Sequence, residues 1–591
     1  MTNAQIYTLV ALAVYAIAMA LIGCFSFGKS KTLDGFLIGG RKIGGWVSAF
    51  AYGTTYFSAV VFVGYAGQHG WNIGLGAIWI GIGNAILGCL LSWLLFANKT
   101  RKMTKKLGAR TMPDYFEKRY NSKGMKILAA VIIFVFLVPY SAAVYKGLGS
   151  LFGVVFPGVE TWVWMLIIAA LTAVYLVAGG YIATAYTDLI QGIIMIVGVV
   201  CLVVAVLSHE NVGGLSGLLQ NLGNFESLPG DPNPTTGTQL TNIFGGSSFK
   251  FLCFNIMLTS FGTWGLPQMI GKFYAIKDTA AIKRGTIIST IFCIVIGCGA
   301  YLIGSTSRLI LGGQLPEGGI DSIIPTVLME VLGNGTLGIT LLAVIMVLLL
   351  SASMSTLESV VLTSASAVAV DLIPAIRKKE TSPEHQMLLT RLLCLAFVAC
   401  SFIFATQNIP IIVSLMSFSW GLVSGCFIGP YIWGLFSKRL TGNQLIMAMI
   451  ITWVVGVTAK LTVPASVINP TIIESLSGCV LPVLILAILE VISMKKNSVD
   501  PGYEVVRGYL DVTADVEPDA AMKKATKAYS HMAVSCFLIT LGVIALLLVG
   551  LIIAGDPKTM AVSGIVWSFI LSIAAMIAIY LVYRYIDSRK K

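Results

Sequence analysis

Residues 337–370 read LGITLLAVIMVLLLSASMSTLESVVLTSASAVAV, an apolar run long enough to cross a bilayer, with Ser351, Ser353, Ser355, Thr356, Glu358 and Ser359 at its middle. Polar groups at membrane depth are expensive, and where they occur they line a pathway or a site. No loop lies near enough in sequence to solvate them, so this segment is built to hold something polar. Hydroxyls beside a carboxylate suit a small hard cation, which prefers oxygen ligands.

The whole chain fits that setting. Its 591 residues are 57% hydrophobic and only 11% charged, with a mean hydropathy of +0.88, whereas soluble domains carry about 25% charged residues. Fifteen apolar stretches are long enough to span, each against a need for about 20 residues. The chain is therefore expected to be an all-α polytopic membrane protein in contact with lipid. Its longest hydrophilic segments are too short to bury a core of their own, and it carries no HExxH or nucleophile motif. An enzyme is not expected. The first stretch, near 5–24, follows MTNAQ without a Lys or Arg and reads as a retained span rather than a signal peptide.

A formal charge of +13 invites a nucleic-acid reading, but the placement of the basic residues argues against it. They gather at 29–42, Lys99–Lys126, Lys272–Arg284, Arg377–Arg391, Lys438–Arg439, Lys495–Lys527 and Arg584–Lys591. With an outside N-terminus all of these fall on the inner side, which is the positive-inside bias. The expectation is a multi-pass protein of the cell (inner) membrane with its N-terminus outside, its C-terminus cytoplasmic and no nucleic-acid partner. The eleven cysteines are scattered and read as small apolar fillers. Nothing in the sequence sets the oligomeric state.

Glycines mark where helices break. FAYGTTYFSAVVFVG (50–64), TSFGTWGLPQMIG (259–271) and SFSWGLVSGCFIG (417–429) interrupt apolar runs with Gly, Pro and small hydroxyl residues. Broken helices at corresponding places in two halves point to a transporter's midplane site; the competing reading is close packing through small residues. The first two of these lie five spans apart, as the first helices of two five-helix repeats would. Residues 208–248 read as an irregular external loop, either a lid or a plain spacer.

ARTMPDYFEKRY (109–120), GGYIATAYTDLIQG (179–192), SASMSTLES (351–359) and, more loosely, GLPQMIGKFYAIKD (265–278) resemble the sodium:solute symporter family, which includes bacterial proline, pantothenate, sialic acid and galactose symporters. The resemblance covers about 5–495 and implies a LeuT-like fold. Its expected organisation is a leading helix and inner loop (1–42), a first five-helix repeat (43–207), the external loop (208–248), a second, inverted repeat (249–436), and four extra helices with an inner segment at 495–531 (437–591). The activity it implies is sodium-coupled symport of a small solute by alternating access, with Na+ as the coupling ion. A proton-coupled transporter of the same fold and a membrane sensor are the alternatives.

With core helices numbered from residue 43, the resemblance implies one sodium between broken helix 1 and helix 8. Its ligands would be the carbonyls of Thr54, Phe57 and Ala352 and the hydroxyls of Ser355 and Thr356. The competing reading has these hydroxyls bonding back to their own i−4 carbonyls. A candidate second cation site falls on Asp188, Ser355, Glu358 and Ser359, although Glu358 stands where the family has a hydroxyl. Asp188 could instead cap the helix it enters. Lys146, in VPYSAAVYKGLGSLF (138–152), is expected to pair with Glu358; snorkelling to the outer interface or binding a substrate carboxylate are the alternatives.

The candidate substrate positions are Tyr56, Ser58, Val61, Asn84, Tyr140, Lys146, Thr259 and Thr263. Positions that face the sugar in galactose symporters fall on Tyr56, Val60, Val61 and Gly81, which leaves only Ser58 and Asn84 as polar partners. The proline pattern is broken at Tyr56, Thr259 and Thr263 and kept at Tyr140 and Pro267. An organic acid or an amino acid is expected rather than a sugar.

Overall fold

The structure, a computed structural model, describes residues 1–27, 32–229, 231, 233–377, 382–407, 412–463, 468–496, 498–500 and 503. The expected spans at 532–555 and 559–583, and nearly all of the inner segment 495–531, lie outside the described residues. Among those described, ten helices are long and apolar enough to cross a membrane. Among the described residues the only β pairing is two isolated bridges, Ile43 with Ile276 and Glu226 with Thr236.

In chain order the elements that build the site are α1 (Asn3–Phe27), α2 (Gly45–Tyr56), α3 (Met112–Tyr120), α4 (Lys123–Val155), α5 (Thr161–Leu207), α6 (Phe249–Phe261), α7 (Pro267–Tyr274), α8 (Thr279–Ile310), α9 (Gly335–Ser366), α10 (Pro383–Ala405) and α11 (Ile412–Phe436). The helix begun by α2 breaks at Phe57, whose backbone is extended (φ −111°, ψ 120°), and resumes through Val60–Ile73. The helix begun by α6 breaks through Gly262–Leu266, and Pro267 starts α7. Proline is favoured at a helix start, where no N–H partner is needed. The breaks expected in the first two glycine-marked stretches are therefore present, whereas the third, 417–429, runs unbroken inside α11, where its glycines serve close packing instead.

The fifth and sixth apolar stretches form one helical run, α5, with a sharp kink at Gly180 (φ 55°, ψ −156°). That φ is left-handed, and a Cβ there would lie 2.8 Å from the Phe36 carbonyl oxygen, so glycine is required on both counts. Helix α9 packs against α5, α1 and α4. Its face from Ser351 through Leu362 is entirely buried. The ARTMPDYFEKRY segment ties one end of this packing together: Thr111 Oγ1 donates to Asp371 Oδ2 at 2.7 Å, and Lys126 reaches Glu117 at 2.7 Å and Asp371 at 3.5 Å.

The opposite end is covered by residues 208–248, which carry the short helices Gly214–Gly223 and Gly237–Leu240. Arg308, at the end of α8, is buried and pins this cover. Its Nε donates to the Trp71 carbonyl (2.6 Å), one terminal nitrogen to Asp231 Oδ2 (2.6 Å) and the other to the Asn233 carbonyl (2.8 Å). The guanidinium also lies 4.5 Å from the Trp71 ring centroid. The segment is thus a lid fastened to both α8 and the far half of the first broken helix.

Burial alone would raise the Asp231 pKa, but the Arg308 hydrogen bond, the Asn233 N–H and the Arg308 charge outweigh it and hold this carboxyl below its ordinary value. A depressed carboxyl pKa adds stability that is complete above the unfolded value of about 3.9 and is lost as pH falls through the folded one. Asp231→Asn at neutral pH is expected to lower the hydrogen-exchange protection factors, which compare each rate with the intrinsic rate at the same pH, across 208–248, as acid below about pH 4 should in the wild type. Equal exchange in Asp231→Asn and wild type at neutral pH would show that the pair does not hold the lid.

Candidate functional site

Breaking a helix strands backbone groups that bilayer hydrocarbon cannot solvate. At Phe57–Ser58 they are met by the polar run of α9. The Ala59 N–H donates to Ser353 Oγ at 2.9 Å, and the Val60 N–H donates to Ser58 Oγ at 3.2 Å. Two residues further along α9, Ser355 Oγ donates to Asp188 Oδ1 (2.5 Å) and lies 2.8 Å from Thr54 Oγ1. Thr356 Oγ1 lies 3.2 Å from the carbonyl oxygens of both Thr55 and Ala352. Thr54, Phe57, Ala352, Ser355 and Thr356 are all fully buried.

The i−4 bond to Ala352 is thus half of what Thr356 does, whereas the Ser355 contacts reach across to α2 and α5. The single Ser355 proton faces two acceptors, Asp188 Oδ1 and Thr54 Oγ1, because the Thr54 hydroxyl itself donates to the Phe50 carbonyl. Oxygen atoms from both sides of one helix break converge here, which is the ligand chemistry a small hard cation takes.

Asp188 lies well inside the helical run that follows the Gly180 kink, so it is not a helix cap. Its second oxygen, Oδ2, is 3.2 Å from Lys272 Nζ in α7. Both groups are buried, at 0% and 3% side-chain exposure, and Lys272 also lies 5.4 Å from the Tyr181 ring centroid. Sequence reasoning placed Lys272 among the basic residues of an inner loop. The signal available was Pro267: once it starts a helix, Lys272 falls in the last turn of α7 rather than in a loop.

The expected pairing of Lys146 with Glu358 is not what the structure has. Glu358 has no ion pair among the described residues. Thr187 Oγ1 sits 3.4 Å from its Oε2, and Oε1 is buried without a hydrogen-bond partner there. Lys146 instead lies within electrostatic reach of Asp321. The reason is packing: it is Gly147 that faces the break, a Cβ there falling 3.3 Å from the Ala59 Cβ, so its neighbour Lys146 is turned off that face, while Glu358 faces α5. The leading helix, whose role was not anticipated, covers this face. Gln191 Nε2 donates to the Tyr15 hydroxyl at 2.7 Å, and Tyr15 is within electrostatic reach of both Glu358 and Asp188. The fourth member of the candidate second cation site, Ser359, is 3.0 Å from Thr55 Oγ1.

Most of the candidate substrate residues gather between the two helix breaks. The Tyr56 hydroxyl donates to the Thr259 carbonyl (2.6 Å), and its ring lies 6.1 Å from Trp420, which in turn meets Tyr140 edge-on at 6.1 Å. Thr263 Oγ1 donates to the Ser260 carbonyl, and Ser260 Oγ donates to Asn84 Oδ1 at 3.1 Å. Ser58 lies in the break itself and Val61 is buried just beyond it. Trp420 was missed, although it sits in the glycine-rich stretch 417–429. At the end opposite the lid a small pocket is lined among others by Thr111, Pro113, Tyr181, Gln268, Lys272 and Ser359, and none of the cluster residues named above lines it.

Two broken helices crossing at membrane depth, with an oxygen-lined break beneath an aromatic cluster, define a secondary transporter of the LeuT-like class. The family model of the sodium:solute symporter family matches residues 36–452, and the chain belongs to that family. Its members are transporters rather than enzymes.

Among similar proteins, the osmoregulated proline transporter OpuE of Bacillus subtilis (strain 168) is 26% identical over 81% of this chain and 95% of its own length. The high-affinity proline transporter PutP of the same organism is 27% identical over 73% and 88%. A sodium/proline symporter of Staphylococcus aureus (strain bovine RF122 / ET3-1) is 27% identical over 76% and 85%. Among solved structures, a Na+-coupled sialic acid symporter in a substrate-bound outward-open state superimposes with a TM-score of 0.66 at 18% identity, over 82% of this chain and 97% of its own, which supports the shared fold.

Two double-mutant cycles test the charge assignments. Lys272→Met or Asp188→Asn alone leaves a buried charge uncompensated and is expected to cost about 3–5 kcal/mol, with much of that recovered in the double variant. Lys146→Met and Glu358→Gln should add within about 0.5 kcal/mol, as non-contacting residues do. Thermal stability of the purified protein reads both cycles; strong coupling between Lys146 and Glu358, or none between Lys272 and Asp188, would reverse the assignment.

Proposed function

We propose that the chain couples inward movement of Na+ to uptake of a small organic solute, an amino acid or an organic acid, by alternating access between the repeats at 43–207 and 249–436. The observation that carries this reading is the convergence of the Ser355 and Thr356 hydroxyls on the break of the first broken helix. Sodium is held there by the carbonyls of Thr54, Phe57 and Ala352 and by those two hydroxyls, with Asp188 orienting Ser355. The solute occupies the neighbouring cluster of Tyr56, Thr259, Thr263, Tyr140 and Trp420. Aromatic walls and few side-chain donors suit a compact, partly apolar solute better than a sugar, which needs many hydrogen-bonding partners. The lid faces outside and the basic end faces the cytoplasm of a cell whose membrane the chain spans.

The driving force is sufficient. One charge crossing 100 mV is worth about 2.3 kcal/mol, and a tenfold sodium gradient adds about 1.4 kcal/mol. Together these support roughly 500-fold accumulation of a neutral solute per coupled sodium. In proteoliposomes, uptake of labelled amino acids and organic acids should require an inward sodium gradient. The double variant Ser355→Ala with Thr356→Ala should raise the half-saturating sodium concentration at least tenfold. Sodium dependence unchanged in that variant at normal expression would remove the site, and uptake driven by a pH gradient without sodium would favour proton coupling.

A further inference from the structure

We propose that Lys272 is a tethered cation that stands in for a second sodium at Asp188, so that the transporter carries one sodium per cycle. This rests on the sodium reading above and specifies its stoichiometry. Four side chains make up the candidate second cation site, and three are engaged with one another or with other groups. Asp188 gives one oxygen to Ser355 and the other to Lys272 Nζ at 3.2 Å. The Ser359 hydroxyl lies on Thr55 at 3.0 Å. Ser355 is shared with the break of the first broken helix through Thr54 at 2.8 Å. Of the four, only Glu358 keeps an oxygen, Oε1, without a partner among the described residues, and one free carboxylate oxygen is not a coordination shell, since sodium-sized hard cations take about six oxygens.

A buried carboxylate beside a buried ammonium has its charge balanced already, and a second cation brought to Asp188 would meet the Lys272 charge at close range. The basic group is also built in. It belongs to α7, the far half of the second broken helix, its chain lies along Tyr181, and the cavity from the basic end runs along it. Water and ions arriving from that side therefore meet Lys272 on the wall before they meet Asp188.

The test counts sodium in the full-length protein. Equilibrium binding of radiolabelled sodium to the purified chain in nanodiscs should give one ion per chain, and the reversal potential of solute-coupled current in proteoliposomes should give a flux ratio of one. Lys272→Met should uncover Asp188 and raise the binding count to two, with a sodium-dependent rise in melting temperature larger than in the wild type. Lys272→Arg should stay at one, and Lys272→Met with Asp188→Asn should return to one. Two sodium ions bound to the wild type, or a Lys272→Met count equal to the wild type's, would overturn the proposal. If Lys272→Met does not fold, the wild-type count and the double variant still decide it. No sodium bound to the wild type would instead overturn the sodium reading itself, so the two failures are distinguishable.

Discussion

A helix that stops and restarts inside a bilayer leaves N–H and carbonyl groups that only protein can satisfy, and the rest of this structure is arranged around that constraint at Phe57–Ser58. The run SASMSTLES is spent on it: Ser353 takes the Ala59 N–H, Thr356 reaches the Thr55 carbonyl, and Ser355 lies on the Thr54 hydroxyl. A fully apolar α9 would leave the Ala59 N–H and the Thr55 carbonyl without these partners, at roughly 1–3 kcal/mol apiece, whereas the Thr54 hydroxyl would keep its bond to the Phe50 carbonyl. The same hydroxyls that make the break tolerable are those proposed above to hold the ion. On that proposal, structural support and ion binding are one set of atoms, which accounts for so costly a polar stripe in the middle of a 34-residue apolar run.

Charge balance is the second layer. Asp188 orders Ser355 by accepting its proton, but a lone carboxylate at this depth needs a counter-charge. Lys272 provides it from a different helix, so the pair also fastens α7 to α5. The link spans two parts of the molecule: α7 belongs to the second broken helix, whereas α5 packs on α9 in the frame that holds Ser355 and Thr356. Any movement that swings the broken helices relative to that frame strains the Asp188–Lys272 contact, the Tyr56–Thr259 contact and the Arg308 clasp on the lid at different heights of the molecule. Three separate contacts at three levels are what alternate opening of two ends requires.

Much of this was legible in the sequence. The membrane class followed from apolar run lengths. The breaks followed from glycine and proline inside those runs, since no other residues disrupt a helix so reliably. The polar run that holds Ser355 and Thr356 stood out because hydroxyls are out of place in lipid, and the family resemblance singled out those two within it. What escaped were facts set by helix rotation and depth. Lys272 looked like one more residue of a basic loop because only the tertiary fold turns the last turn of α7 inward. Lys146 and Glu358 looked like partners because each was a lone charge in a span, yet Lys146 lies within reach of Asp321 while Glu358 faces Thr187 of α5. Tyr15 and Gln191 escaped for the same reason: their contact joins a helix at the start of the chain to one 176 residues later, and no local pattern records it.

The position of Tyr56 connects ion to solute. It is the last residue of α2, one turn or less from Thr54, Thr55 and Phe57, and its hydroxyl holds the Thr259 carbonyl just before the second break. Filling the first break with a cation fixes the backbone of residues 54–57, and with it the angle at which the Tyr56 ring meets Trp420 and Thr259. An empty break leaves those torsions softer, because the carbonyl oxygens then lack a common centre. On the reading proposed above, coupling needs no long relay: the residues assigned to the ion and the residue assigned to the solute are neighbours where α2 ends and the backbone turns extended.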